Sequence, residues 1–313
     1  MRALSKTTHI DFMGPRRLAG AVSILLVLAS IFLLATRGLN FGIDFTGGVL
    51  VEVGYPEAVE LAHVREKLAD SEYADAVVQH FGSSQDVMIR LAPSDAAKGA
   101  ELSDAVYQVL RSRGDDVTLR RVEFVGPQVG EELTINGGLA AIWALACIFI
   151  YVLFRFHWKF SAGAVACLIH DVILVFGMFS LLRLEFDLAV LAAVLAVIGY
   201  SLNDTIVVFD RCRENFQRKT GEDEPGVINR SLNEMLSRTL MTSGTTLLVL
   251  LSLYYLGGEA LSGFSLALIA GIVIGTYSSI YVASNFSLAI GLKRDDLVPP
   301  PPPDNVDPSG AQV

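Results

Sequence analysis

Six long apolar runs punctuate the chain, at 18–36, 137–154, 161–182, 187–209, 240–257 and 264–292. Each is near the roughly 20 apolar residues that a helix needs to cross a bilayer. The pattern between the first two differs. Residues 37–136 mix polar and apolar positions with no long apolar stretch. Val49–Val53 ("VLVEV") alternates weakly and predicts a strand. Glu57–Asp70 carries helical spacing behind Pro56. "AVVQHF" and "DVMIRL" predict strands around "GSSQ". A helix follows from Ser94 as cap to Gly114 as stop, and "VTLRRVEFV" closes the series as a strand. The order β-α-β-β-α-β is the split βαβ plan of a ferredoxin-like sandwich. The predicted fold is therefore a polytopic α-helical membrane protein. Six spans carry one small α+β domain between the first and second. The free face of its sheet is a surface for another protein.

Lys and Arg in the short loops set the orientation. The leader 1–17 holds Arg2, Lys6, Arg16 and Arg17, and "RFHWK" holds Arg155 and Lys159. The 210–239 loop holds Arg211, Arg213, Arg218, Lys219 and Arg230, and the tail 293–313 starts with Lys293 and Arg294. The opposite loops hold only Arg183. Both termini are thus expected in the cytoplasm and the 37–136 domain in the periplasm. The first run is long for the core of a signal peptide and lacks a clear A-x-A site, so an uncleaved span is expected. The proline-rich tail, "LVPPPPPDNVDPSGAQV", predicts disorder.

Composition agrees with the spans. The chain is 52% hydrophobic and 18% charged, too apolar for an ordinary soluble globule. A net charge of -9 opposes a nucleic-acid partner, which needs a basic surface. The three Cys and five His form no C-x-x-C pair and no ligand-spaced cluster, so neither metal nor cofactor is expected. The polar domain shows no nucleophile–base pair, and no GxxxxGK[ST] motif occurs. A docking surface is expected there, not an enzyme site.

The candidate chemistry lies inside the apolar runs. Asp204 sits in "VLAVIGYSLNDTIVVFDR", about 9 Å inward of Asp210 at 1.5 Å per residue. A charged Asp mid-helix costs ~2.5–3.5 kcal/mol on insertion scales. Tyr200, Ser201, Asn203 and Thr205 extend the polar patch, which must face protein or water. In the fifth span Arg238, Thr242 and Thr245 fall at i, i+4 and i+7, on one face. Spans four and five are consecutive, so Asp204 and Arg238 are expected to approach, directly or through water. His170 and Asp171 lie mid-span in the third run, with Ser278 and Ser279 in the sixth. Gly271 and Gly275 make a small-xxx-small face. A carboxylate that exchanges a proton beside a mobile cation is the minimum kit for coupling a proton gradient to movement. The same residues also allow a plain interhelical hydrogen bond.

Three stretches now point one way: "FGIDFTGGVLVEV" (Phe41–Val53), "VLAVIGYSLNDTIVVFDRCREN" (Val194–Asn215) and "SLNEMLSRTLMTSGTTLLVLL" (Ser231–Leu251). Together they resemble the SecF family, the smaller half of the bacterial SecD–SecF protein-export pair in the resistance-nodulation-division superfamily. The resemblance implies a multi-pass inner-membrane subunit beside the SecYEG channel. It implies SecD as the other six-span half and a translocating preprotein as client. It also implies use of the proton-motive force at the late, outer-side stage of export. By motif position the proton-site aspartate falls on Asp204 and the arginine on Arg238, with Asn203 and Thr205 as polar neighbours and Asp171 as a further candidate. Gly42, Asp44, Gly47 and Gly48 of "GIDFTGG" would form a hinge between span one and the domain, or a plain structural turn. SecD is expected to meet this chain partly through the small-residue faces. Two rivals stand: a proton-coupled small-molecule exporter of the same superfamily, and a passive assembly subunit.

Overall fold

Apolar runs of this length become helices because only a helix satisfies its own backbone in hydrocarbon. The computed structural model describes residues 8–297, apart from 93–95, 113, 115, 219 and 220. The start of the leader, the tail from 298 and the expected cap Ser94 therefore lie outside the described residues. In chain order the elements are α1 Arg16–Arg37, β1 Asn40–Phe41, α2 Ile43–Thr46, β2 Gly48–Gly54, α3 Leu61–Ala69, β3 Val77–Phe81 and β4 Ser83–Leu91. Then come α4 Ala96–Ser112, β5 Thr118–Val125, α5 Pro127–Arg155, α6 Trp158–Leu182, β6 Glu185–Phe186, α7 Leu188–Gln217, α8 Glu224–Leu256 and α9 Ser262–Ala289. Among the described residues six helices, α1 and α5 to α9, are long and apolar enough to cross a membrane.

The four-stranded sheet has the order β3-β4-β2-β5, with every neighbour antiparallel. Each of its two βαβ units is thus split by a strand of the other. Val49, Val51 and Val53 point to one face at period two and are fully buried, with Val87 and Ile89 beside them. Val64, Leu68, Val106 and Leu110 from α3 and α4 close this core. Each such side chain stabilises by about 1.5–3 kcal/mol.

Two expectations need correction. Helix α3 begins at Leu61, not Glu57, because the Val59 amide donates to the Ser84 carbonyl at 3.0 Å and holds that stretch extended along the sheet. The 210–239 segment is mostly helix, not loop. Helix α7 runs on to Gln217 and α8 starts at Glu224, capped by the Asp223 side chain with Pro225 in the first turn. The extensions grip each other through Asn215, which donates to Ser231 Oγ at 3.0 Å and Glu234 at 2.8 Å, and through the Arg211–Glu234 pair.

Between the long helices association rests on close packing, since lipid tails are as apolar as leucine. A Cβ at Gly271 would fall 2.2 Å from Val197, and one at Gly275 would fall 3.1 Å from Ser201. The Gly271–Gly275 face therefore seats α9 on α7 inside this chain, not against a partner.

Candidate functional site

Helix α7 carries polar side chains around much of its middle. Asp204 is 3% exposed and Thr205 and Ser201 are 1% exposed, all on the inward face. Ser243 of α8 stands beside the Asp204 carboxylate and also shares a 2.9 Å hydrogen bond with Thr276 of α9. The other carboxylate oxygen, Oδ2, has no hydrogen-bond partner. A buried carboxylate with a free acceptor position can take up a proton without first breaking a bond at that oxygen.

Arg238 does not pair with Asp204. Its side chain is exposed, and no ion pair joins the two among the described residues. The reason is helical phase. Thr239 and Ser243, at i and i+4, take the inward face of α8, whereas Arg238, Thr242 and Thr245 take the neighbouring outward one. The Arg238 charge acts on the carboxylate through space. Asn203 is likewise exposed, so of the predicted neighbours Ser201 and Thr205 share the buried face with Asp204 and Asn203 does not.

Asp171 heads a second buried cluster. It is 1% exposed on α6 and accepts from Ser201 Oγ at 2.5 Å and Ser278 Oγ at 2.8 Å, both on Oδ2. Its Oδ1 lies 2.9 Å from His170 Nδ1. Cys167 donates to Ser278 at 3.0 Å and lies 3.8 Å from Thr205 Oγ1. The two carboxylates thus differ: Asp171 is saturated with donors, while Asp204 is left partly unsatisfied. Sequence reading missed Ser243, Thr239, Thr276 and Cys167. The i, i+4 pairs Thr239–Ser243 and Cys167–Asp171 were the available signal.

The glycine-rich motif forms a joint between the insert and the bundle. β1 pairs in parallel with β6, and the Gly42 amide donates to Phe186 at 2.9 Å. Between Gly42 and Gly47 the chain makes the short helix α2. Asp44 Oδ2 accepts from the Leu188 amide at 2.9 Å and Asp187 Oδ1 from the Val190 amide at 2.7 Å. Both carboxylates therefore cap the start of α7, where helix N–H groups lack partners. Gly47 and Gly48 have φ of +67° and +129°, and a Cβ at Gly48 would meet the Leu91 carbonyl oxygen at 2.5 Å. Phe45 and Phe41 pack on Phe186 at 5.9 and 6.0 Å between ring centroids.

Residues 105–293 match the family described as protein export membrane protein SecD/SecF, C-terminal, and residues 32–55 match the SecD/SecF GG motif. The protein translocase subunit SecF of Vibrio alginolyticus is 48% identical over 292 residues, which cover 93% of each chain. That of Pseudomonas aeruginosa is 48% identical over 302 residues, covering 96% of this chain and 98% of the relative. The crystal structure of SecDF, a translocon-associated membrane protein from Thermus thermophilus, superposes with a TM-score of 0.83 at 38% identity. The match covers 93% of this chain but only 39% of that one.

Proposed function

Because the chain belongs to the SecD/SecF family of protein-export membrane proteins, we propose that it is the smaller half of a bacterial inner-membrane pair that uses the proton gradient to drive the late, outer-side stage of Sec-dependent export. SecD is the other half, since the solved SecDF chain is longer and this chain covers only 39% of it. SecYEG and the exported preprotein are the further partners, both termini face the cytoplasm, and the insert domain works in the periplasm. No catalytic chemistry is assigned.

The observation that carries the reading is Asp204, buried in a membrane-length helix with one oxygen unpartnered. Carboxylates at such depth are costly and mark proton relays. Asp204 is the group that gains and loses the proton. Arg238 is its mobile cation, Thr205 lies beside it, and Asp171 holds α6, α7 and α9 together as a neighbouring polar centre. Asn203, Arg238, Thr242 and Thr245 form an outward polar face, which lipid does not tolerate and SecD would cover. Protonation shifts α7, and Asp44 passes that shift to the insert domain through the Gly42, Gly47 and Gly48 joint.

The test is proton flux. The chain is reconstituted with SecD in vesicles containing a pH-sensitive dye, and an acid-outside gradient is imposed. The reading expects proton entry that Asp204→Asn abolishes. Equal entry in wild type and variant would remove Asp204 from the path.

A further inference from the structure

The sheet face turned away from α3 and α4 does not end in open solvent. With the β6 loop and the ends of α8 and α9 it encloses a cleft of about 700 Å3. That is the size of a small-ligand site. Five carboxylates line it (Asp44, Glu52, Glu123, Glu185 and Asp187) against the guanidinium groups of Arg121 and Arg183.

Most of these charges are already engaged. Arg121 pairs with Glu123, and Arg183 donates to the Arg37 carbonyl at 2.8 Å. Asp44 and Asp187 cap α7. Two carboxylates remain. Glu52 is 9% exposed on the central strand β2, yet it makes no hydrogen bond or ion pair with any described residue. Arg120, close by, is bound to Asp86 at 2.9 Å. Glu185 sits across the cleft against Gly42, and its nearest cation, Arg90, is hydrogen-bonded to the Phe41 carbonyl. Burial holds the carboxyl groups of both above the ordinary range, although Arg121 and Arg90 oppose it.

A nearly buried, unpartnered carboxylate in an acidic cleft is an acceptor waiting for a cation. The wall that completes the cleft indicates what carries it. Consecutive residues Gln79 to Gly82 line the opening, at the end of strand β3. Among the described residues that strand pairs only with β4, and although Arg65 takes the Val78 carbonyl at 2.7 Å, the outer edge beyond it, at Gln79 to Phe81, is open to an extended chain. We propose that this cleft binds a lysine or arginine side chain carried on an extended polypeptide segment, with Glu52 and Glu185 as its anionic partners.

The test uses the full chain assembled with SecD in nanodiscs. A fluorescent unstructured peptide with spaced lysines is titrated, alongside the same peptide with glutamine in place of lysine. The proposal expects the lysine peptide to bind about tenfold tighter or more, and high salt to weaken it. Glu52→Gln is expected to erase most of that preference and Glu185→Gln part of it. Glu52→Gln removes a buried charge without changing shape, so it does not threaten the fold, and a retained helical spectrum checks this. Equal binding of the two peptides, or an unchanged preference in Glu52→Gln, would overturn the proposal. A photo-crosslinking residue at His80 supplies a second readout. Crosslinks to the lysine peptide support the site. Crosslinks to SecD alone, unaffected by the peptide, would mean that the cleft is an internal interface and would also overturn it.

Discussion

Asp204 and Asp171 are both carboxylates buried within a few percent of full, and their surroundings assign them opposite parts. Asp171 accepts two hydroxyl donors and faces an imidazole nitrogen. Asp171→Asn removes the charge and replaces one acceptor oxygen by a donor, so the His170 ring or the serine hydroxyls must reorient to match it. It is expected to destabilise the bundle by about 1–3 kcal/mol, read as earlier loss of tryptophan fluorescence on unfolding in detergent. Asp204→Asn removes a charge whose Oδ2 has no partner, and stability is expected to hold or rise. A matched loss in both variants would show that the two sites are equally structural. Glu52 gives a pH prediction at the same scale. Burial raises its pKa above the ordinary glutamate value. The folded domain therefore binds this proton at a higher pH than the unfolded chain does. Its contribution to stability is complete below the unfolded pKa and is lost as pH rises through the folded one. At neutral pH Glu52→Gln is expected to slow hydrogen exchange of the β2 amides, and the difference from wild type is expected to vanish near pH 4.

The element that physically joins site and insert is α7. Its first turn is held by Asp44 from the glycine-rich motif, its middle carries Asp204, and its end locks to α8 through Asn215. Asp44→Ala removes one cap, a loss of about 1 kcal/mol. Faster exchange of the Leu188 amide is expected, with little change at Val190, which Asp187 still caps. Gly271→Val would drive side-chain carbons into Val197 and is expected to loosen α9 from α7, measurable as loss of a cysteine crosslink between the two helices. The spans themselves were legible in the sequence because an apolar run of bilayer length needs no tertiary information. The β1–β6 pair was not, since two-residue strands carry no period. The polar ends of α7 and α8 read as loop because charge suggests solvent, while the Arg211–Glu234 pair that clamps the two extensions together joins residues on different helices. Helical phase also decided the site. The i, i+4, i+7 row of Arg238, Thr242 and Thr245 was real, but nothing in the spacing said that Thr239 and Ser243 would take the inward side.

As a whole molecule the chain is a bundle with an unfinished side. Asn203 and the Arg238 row are exposed polar positions on membrane-length helices that no described residue covers. Replacing Asn203 with Leu is expected to weaken co-purification with SecD without altering the isolated chain. The central claim is that Asp204 couples protons to export, and export in cells tests it most directly. Cells depleted of the native subunit would carry wild type or Asp204→Asn at equal membrane levels. Release of a secreted reporter would be followed with the proton gradient intact and then collapsed. The account predicts poor release by the variant while the gradient stands, and equal release by both once it is collapsed. Matching release in both states would contradict it and leave Asp204 a structural polar group.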